Sequence, residues 1–162
     1  MKKFLVSMAA VLAFGALATG CGKKPTPKPE ADAQQYVKLI ADGKIDDAAK
    51  MIAVPDTVKD KDAYLKAVKE RLTAEKASFD QVGGLEKVEA KEADTKYSSV
   101  DVKTKEIKEI KKEEVTVGSV ATVQLSVKVK NAPEAGTVPL TLINAQDKYM
   151  VVMPNDQVPA GN

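Results

Sequence analysis

Gly83 and Gly84, adjacent near the middle of the chain, separate two stretches whose apolar residues follow different periods. Before the pair they recur at helical spacing and after it they alternate, so the chain reads as helices first and strands afterwards. Alternation is clearest at Val115, Val117, Ser119, Ala121, Val123, Leu125, Val127 and Val129, with mainly polar residues between them as far as Lys130. One face of such a segment is apolar and the other wet. The sixteen residues from Val115 to Lys130 exceed the usual strand length of about 3–10, so a bend is expected at Gly118. Val138, Leu140 and Leu142 form a further alternating run, in which Pro139 predicts an edge or a bulge. Tyr149 to Met153 form the last run, after a polar turn at Asn144 to Lys148.

Upstream, Ala33, Tyr36, Val37 and Ile40 lie at i, i+3, i+4 and i+7, with Gly43 where a left-handed cap falls. Ile45, Ala48, Ala49 and Ile52 repeat the spacing until Pro55 stops it. Thr57 with Asp60 reads as a capping box ahead of a third helix, whose stripe is Leu65, Val68 and Leu72 and whose end is expected before Phe79. Between residues 85 and 114 two strands are expected, one through Leu85, Val88 and Ala90 and one through Val100, Val102 and Thr104, with a turn near Lys111 to Glu114. That stretch holds eight Lys, seven Glu and two Asp, a near cancellation that fits a solvated, aggregation-resistant sheet face better than a charged binding face. The expected fold is α+β: residues 31–154 form one domain with N-terminal helices packed on a curved antiparallel sheet, followed by a flexible tail at 155–162.

The N-terminus has a different character. Lys2 and Lys3 precede an apolar run from Phe4 to Leu17, and Ala18, Thr19 and Gly20 lead into Cys21. That order is a secretory signal peptide, and the run falls short of the ~20 residues a spanning helix needs. Ala18-Thr19-Gly20-Cys21 resembles the lipobox of bacterial lipoproteins, although Ala18 stands where Leu is usual. The resemblance implies a lipoprotein signal peptide over residues 1–20, lipidation of the Cys21 thiol and attachment to the membrane through that lipid. Gly22 follows the Cys where an Asp commonly marks retention at the inner membrane, so in a Gram-negative envelope it implies the outer membrane. Residues 21–30 then form a lipidated Cys and a stiff spacer, with Pro25, Pro27 and Pro29 alternating and nothing apolar to bury. It would reach about 25 Å from the bilayer.

Composition narrows the chemistry. The 162 residues contain no His, no Trp and one Cys, which excludes His-based catalysis, His/Cys zinc sites and disulfide frameworks. Of 25 basic and 23 acidic residues, Lys2 and Lys3 leave with the signal segment, so 23 of each remain and the net charge is zero. Nucleic acid is not an expected partner of so balanced a domain. There is no Gly-rich phosphate loop. Asp60-Lys61-Asp62 opens like a calcium loop but lacks the remaining ligands, and Asp46-Asp47 point about 100° apart on a helix. No cofactor and no metal are expected.

The stretches Asp42-Gly43-Lys44-Ile45-Asp46-Asp47-Ala48-Ala49-Lys50, Gly83-Gly84-Leu85-Glu86-Lys87-Val88 and Val117-Gly118-Ser119-Val120-Ala121-Thr122-Val123, with the last hairpin, resemble the nuclear-transport-factor-2-like, cystatin-like domains of bacterial lipoproteins. These belong to a lumazine-binding-like family of unknown function, and the resemblance covers about residues 30–154. It implies a cone-shaped fold. The charged stretch at 96–114 is longer than the family pattern, and Tyr149 stands where a Trp is frequent. Relatives with this cone include isomerases that set an acid and a Tyr hydroxyl in an apolar pocket, so Tyr36, Tyr64, Tyr97 and Tyr149 are the candidate ligand-binding residues. The same tyrosines on amphipathic elements are also what a core requires. The expected role is a lipid-anchored, non-catalytic binding module of the envelope, facing an envelope protein or a small apolar ligand. The alternatives are a structural envelope component and a pocket enzyme of the isomerase type.

Overall fold

The structure, a computed structural model, describes residues 27–153 apart from 102, 103 and 105. The signal segment, Cys21, the spacer to residue 26 and the tail from residue 154 lie outside the described residues, as does Val102. Among the described residues three α-helices come first: α1 (Pro29–Ala41), α2 (Ile45–Ala49) and α3 (Lys61–Gln81). Pro29 occupies the first turn of α1, where a missing N–H costs nothing, and Glu30 and Asp32 face the positive end of the helix dipole. The helix thus starts before the expected boundary at residue 31, because Pro29 and Glu30 initiate it rather than ending the spacer. Ala33, Tyr36, Val37 and Ile40 are buried as their spacing predicts, and the backbone turns at Gly43 with its N–H on the Ile40 carbonyl at 2.9 Å.

Two expectations for α3 are corrected. Its N-cap is Asp60, whose carboxylate accepts the Ala63 N–H at 2.9 Å, while Thr57 stays in the preceding turn. Its end lies at Gln81 rather than before Phe79. Phe79 is i+7 from Leu72 and prolongs the same stripe, half-buried against the core. Gly83 then turns the chain at φ +82°, and a Cβ there would sit 2.8 Å from the Asn131 side chain, so only glycine fits without displacing it.

Six strands follow among the described residues: β1 (Leu85–Ala90), β2 (Lys96–Val100), β3 (Ile107–Ile110), β4 (Val120–Val129), β5 (Gly136–Asn144) and β6 (Tyr149–Val151). All pair antiparallel in one sheet of order β3-β2-β4-β5-β6, with β1 also on β4. Ala90 opposes Leu125 and Lys96 opposes Thr122, so β1 and β2 run in line along one edge of β4. Residues 91–95, partly a single 3-10 turn, leave that line between them. The two strands expected between 85 and 114 are therefore three. The second lies earlier than expected: β2 ends at Val100, where the apolar pattern of Val100, Val102 and Thr104 begins, because the chain turns at Thr104 and returns as β3, and Lys112–Glu114 form a 3-10 turn.

Along β4 the predicted register holds where the helices cover it: Ala121, Val123 and Leu125 are fully buried. Val117 is 64% exposed, contrary to the expected continuous face. Instead of bending within a strand, the chain makes a turn, with Gly118 at φ +86° and the Ser119 N–H on the Thr116 carbonyl at 3.0 Å. Pro139 lies on the stretch of β5 that β6 does not reach, as its lack of an N–H requires. After α2, residues 51–53 run along β6: Val151 donates to Met51 O at 2.7 Å and Ala53 to Val151 O at 2.8 Å. The core between α1, α3 and the sheet holds Ile40, Ile52, Leu72, Leu125 and Leu142 at full burial, each contributing about 1.5–3 kcal/mol.

Candidate functional site

At one end of the sheet the helices stop covering its inner face. Along β4, Leu125 is fully buried but Val127 and Val129, on the same face, are only half-buried, and on β5 Leu140 is half-buried and Val138 exposed. This opens a cavity of about 620 Å³. Its floor is β4 and β5, one wall is Tyr36, Val37 and Ile40 of α1, and the other is Arg71, Glu75, Ser78 and Phe79 of α3. Val151 to Met153 close its inner end. The lining follows from periodicity: odd residues of β4 and the i, i+4, i+7, i+8 row of α3 face one another.

Its polar groups are few and engaged. The Tyr36 hydroxyl lies 4.0 Å from the Met153 sulfur, a weak donor–acceptor contact. Burial, and after it the negative charge of Glu75, push the Tyr36 phenol well above its ordinary value, while Arg71 pulls it back. Arg71 Nε donates to Glu75 Oε1 at 2.9 Å, an i,i+4 pair across one turn of α3. Ser78 Oγ donates to the Ala74 carbonyl at 3.1 Å. The walls thus offer contact area for an apolar body and, at α3, a charged edge.

A second polar group gathers where α1 meets the excursion at residues 91–95. Glu30 is 8% exposed and accepts from Thr95 Oγ1 at 2.6 Å. The Tyr97 hydroxyl is buried beside the Glu30 carboxylate. Burial first, then the charge of Glu30, raise its phenol above the ordinary value. Two residues further along α1, Asp32 Oδ2 accepts the Tyr149 N–H at 2.8 Å. Burial raises the Asp32 carboxyl above its usual value, although the Tyr149 N–H and Lys148 act against it.

The four candidate tyrosines are all buried but do not share a site. Tyr36 lines the cavity; Tyr64 packs in the core; Tyr97 and Tyr149 belong with Glu30 and Asp32. Cys21 lies outside the described residues. The sequence reading missed Arg71 and Glu75, which the i,i+4 spacing on an amphipathic helix signals, and assigned Glu30 to the spacer. Asp60 of the calcium-like motif is occupied as a helix cap. Among the described residues no three His, Cys, Asp or Glu side chains converge as metal ligands, and no helix is long and apolar enough to cross a membrane. No protein-family model matches the chain, and no curated protein or solved structure matches it significantly.

Proposed function

We propose that the chain is a lipid-anchored envelope module with a cone-shaped, nuclear-transport-factor-2-like domain, which binds a small apolar ligand in the cavity beneath α3. The observation that carries the binding reading is the cavity itself. About 620 Å³ is within the range of ~300–1,000 Å³ typical of small-molecule sites, and apolar walls with a few oriented polar groups are their usual composition. Support for the anchor is in the sequence: Cys21, alone of its kind, follows a basic and apolar leader and precedes a proline-rich spacer. Several acyl chains at ~0.8 kcal/mol per buried methylene hold such a module stably at a bilayer. The Cys21→Ser chain should then remain uncleaved or leave the membrane fraction; an unlipidated wild-type chain in mass spectra of that fraction refutes the anchor.

The binding reading is tested by titrating the purified protein with the apolar dye 1-anilinonaphthalene-8-sulfonate. One saturable site is expected in the wild type, with at least about tenfold weaker binding in Ser78→Trp, whose ring enters the cavity mouth from an exposed position. Equal binding by both would place the dye elsewhere and remove the support. Tyr36 and Glu75 share the cavity, which favours the pocket enzyme as a second reading. In the wild type, however, the carboxylate is held by Arg71, so proton abstraction would compete with that ion pair. Turnover of a cavity ligand that Glu75→Gln abolishes while leaving dye binding intact would decide for the enzyme.

A further inference from the structure

The sheet's margins are treated unequally. β6 is flanked by residues 51–53, and the part of β5 beyond β6 carries Pro139. Among the described residues the outer edge of β3 has no such cover. β2 pairs with β4 only through Lys96–Ser98, so the β2–β3 hairpin overhangs the sheet beyond Val120. On its outward face Val100 and Ile107 are cross-strand partners, 44% and 74% exposed. An uncovered edge ending in an exposed Ile is a template for a further strand.

We propose that β3 pairs edge to edge with β3 of a second copy of this chain, about a two-fold axis at Ile107. The register follows from the hydrogen bonds. Asp101 donates to Glu106 O at 3.0 Å, which makes 101 and 106 a hydrogen-bonded pair. With Val100 opposite Ile107 and Ser99 opposite Lys108, the backbone groups of residues 106, 108 and 110 point at β2. Those of Ile107 and Glu109 point outward. A two-fold axis normal to the sheet keeps each face on its own side, so it joins residues of equal parity, and Ile107 against Ile107 uses the outward N–H and C=O of both copies. Glu106 then opposes Lys108 of the second copy, and Lys108 opposes its Glu106. Shifting the axis by one residue to Lys108 opposes Lys to Lys and Ile107 to Glu109, and at Glu109 opposes Glu to Glu; like charges directly opposite are unfavourable. Among the described residues neither Glu106 nor Lys108 has an ion pair within the chain. On the outward face the pairing lines up Val100, Ile107, Ile107 and Val100 in one apolar row.

An edge of this length buries well under ~1,000 Å², so a dimer with a dissociation constant on the order of 100 μM is expected. The pairing is independent of the cavity. Sedimentation of the full chain in detergent over a concentration series should show monomer and dimer. Glu106→Lys and Lys108→Glu should each weaken the dimer about tenfold, since each replaces two opposite-charge pairs by two like-charge pairs. The double variant, which swaps the charges, should return within about twofold of the wild type while all variants keep its thermal midpoint. Ile107→Cys should form a disulfide-linked homodimer on mild oxidation, as opposed Cα atoms at ~5.5 Å lie within disulfide reach. A monomer up to millimolar concentration, a double variant no better than the singles, or crosslinking of Ile107→Cys to a different polypeptide would each overturn the proposal.

Discussion

Asp32 shows how burial and a single backbone contact set the behaviour of one side chain. Its carboxylate accepts the Tyr149 N–H, tying α1 to β6, yet desolvation outweighs that bond and raises its proton affinity in the fold. Between the ordinary carboxylate range and the raised value the native state binds more protons than the unfolded one, so this group's contribution to stability falls as pH rises through that window. Below both values the penalty is absent. Asp32→Asn keeps an acceptor for Tyr149 and cannot ionise. Its stability relative to the wild type should therefore improve between pH 3 and pH 7, read as the difference in thermal midpoints. A difference moving the other way would mean that the fold stabilises the anion. Val123 and Leu125 illustrate the opposite case, in which alternation alone predicts full burial and the structure agrees. Glu30 was illegible for a physical reason: a charged residue beside prolines reads as solvated, and it is buried because residues 91–95 bring Thr95 onto the first turn of α1.

At the scale of elements, the competition between Thr57 and Asp60 decides where α3 begins. Both are good caps, but the Val58 N–H closes a turn on the Pro55 carbonyl at 3.0 Å, and helical dihedrals start only after Asp60. Asp60→Ala should cost about 1 kcal/mol and Thr57→Ala less than about half of that, measured by urea unfolding. Equal losses would mean that Thr57 also contributes to the cap. The strands between 85 and 114 were harder to read, since Lys and Glu dominate and only a few apolar residues mark a period. β1 and β2 are in effect one line of pairing along β4, interrupted by residues 91–95, and the interruption has no apolar signature. β3 is legible only as Ile107 and Ile110, three apart, which suits a helix as well as a strand.

For the whole molecule, the consequence of the fold is that the inner face of the sheet is left open at one end, between α1 and α3. Ligand bound there stabilises the native state by mass action: dye at about 100 times its dissociation constant should add roughly 2.7 kcal/mol, seen as a raised thermal midpoint. Ser78→Trp should show little of that gain at the same concentration while unfolding near the wild-type temperature without dye. A gain equal in both proteins would indicate binding outside the cavity. The tethered geometry proposed for the chain and the bare edge at β3 bear on each other, since confinement to a membrane raises effective concentration and so favours a contact that is weak in solution.

Along the chain alone, the sequence dictates the α+β class with helices before strands, the buried face of α1 and the inward register of β4, because each depends on a local period of apolar residues. It also set the chemical limits, since a chain without His and with a single Cys excludes whole classes of site. Which of the inward-facing residues are covered follows instead from how distant elements pack. Val127 and Val129 carry the same pattern as Val123 and Leu125, yet the first pair is half-buried at the cavity and the second is fully buried. Tyr36, Tyr64, Tyr97 and Tyr149 likewise look equivalent along the chain and are divided among three places in the fold. Periodicity reports which side of an element a residue faces, whereas burial depends on what another element, distant in sequence, lays against that side.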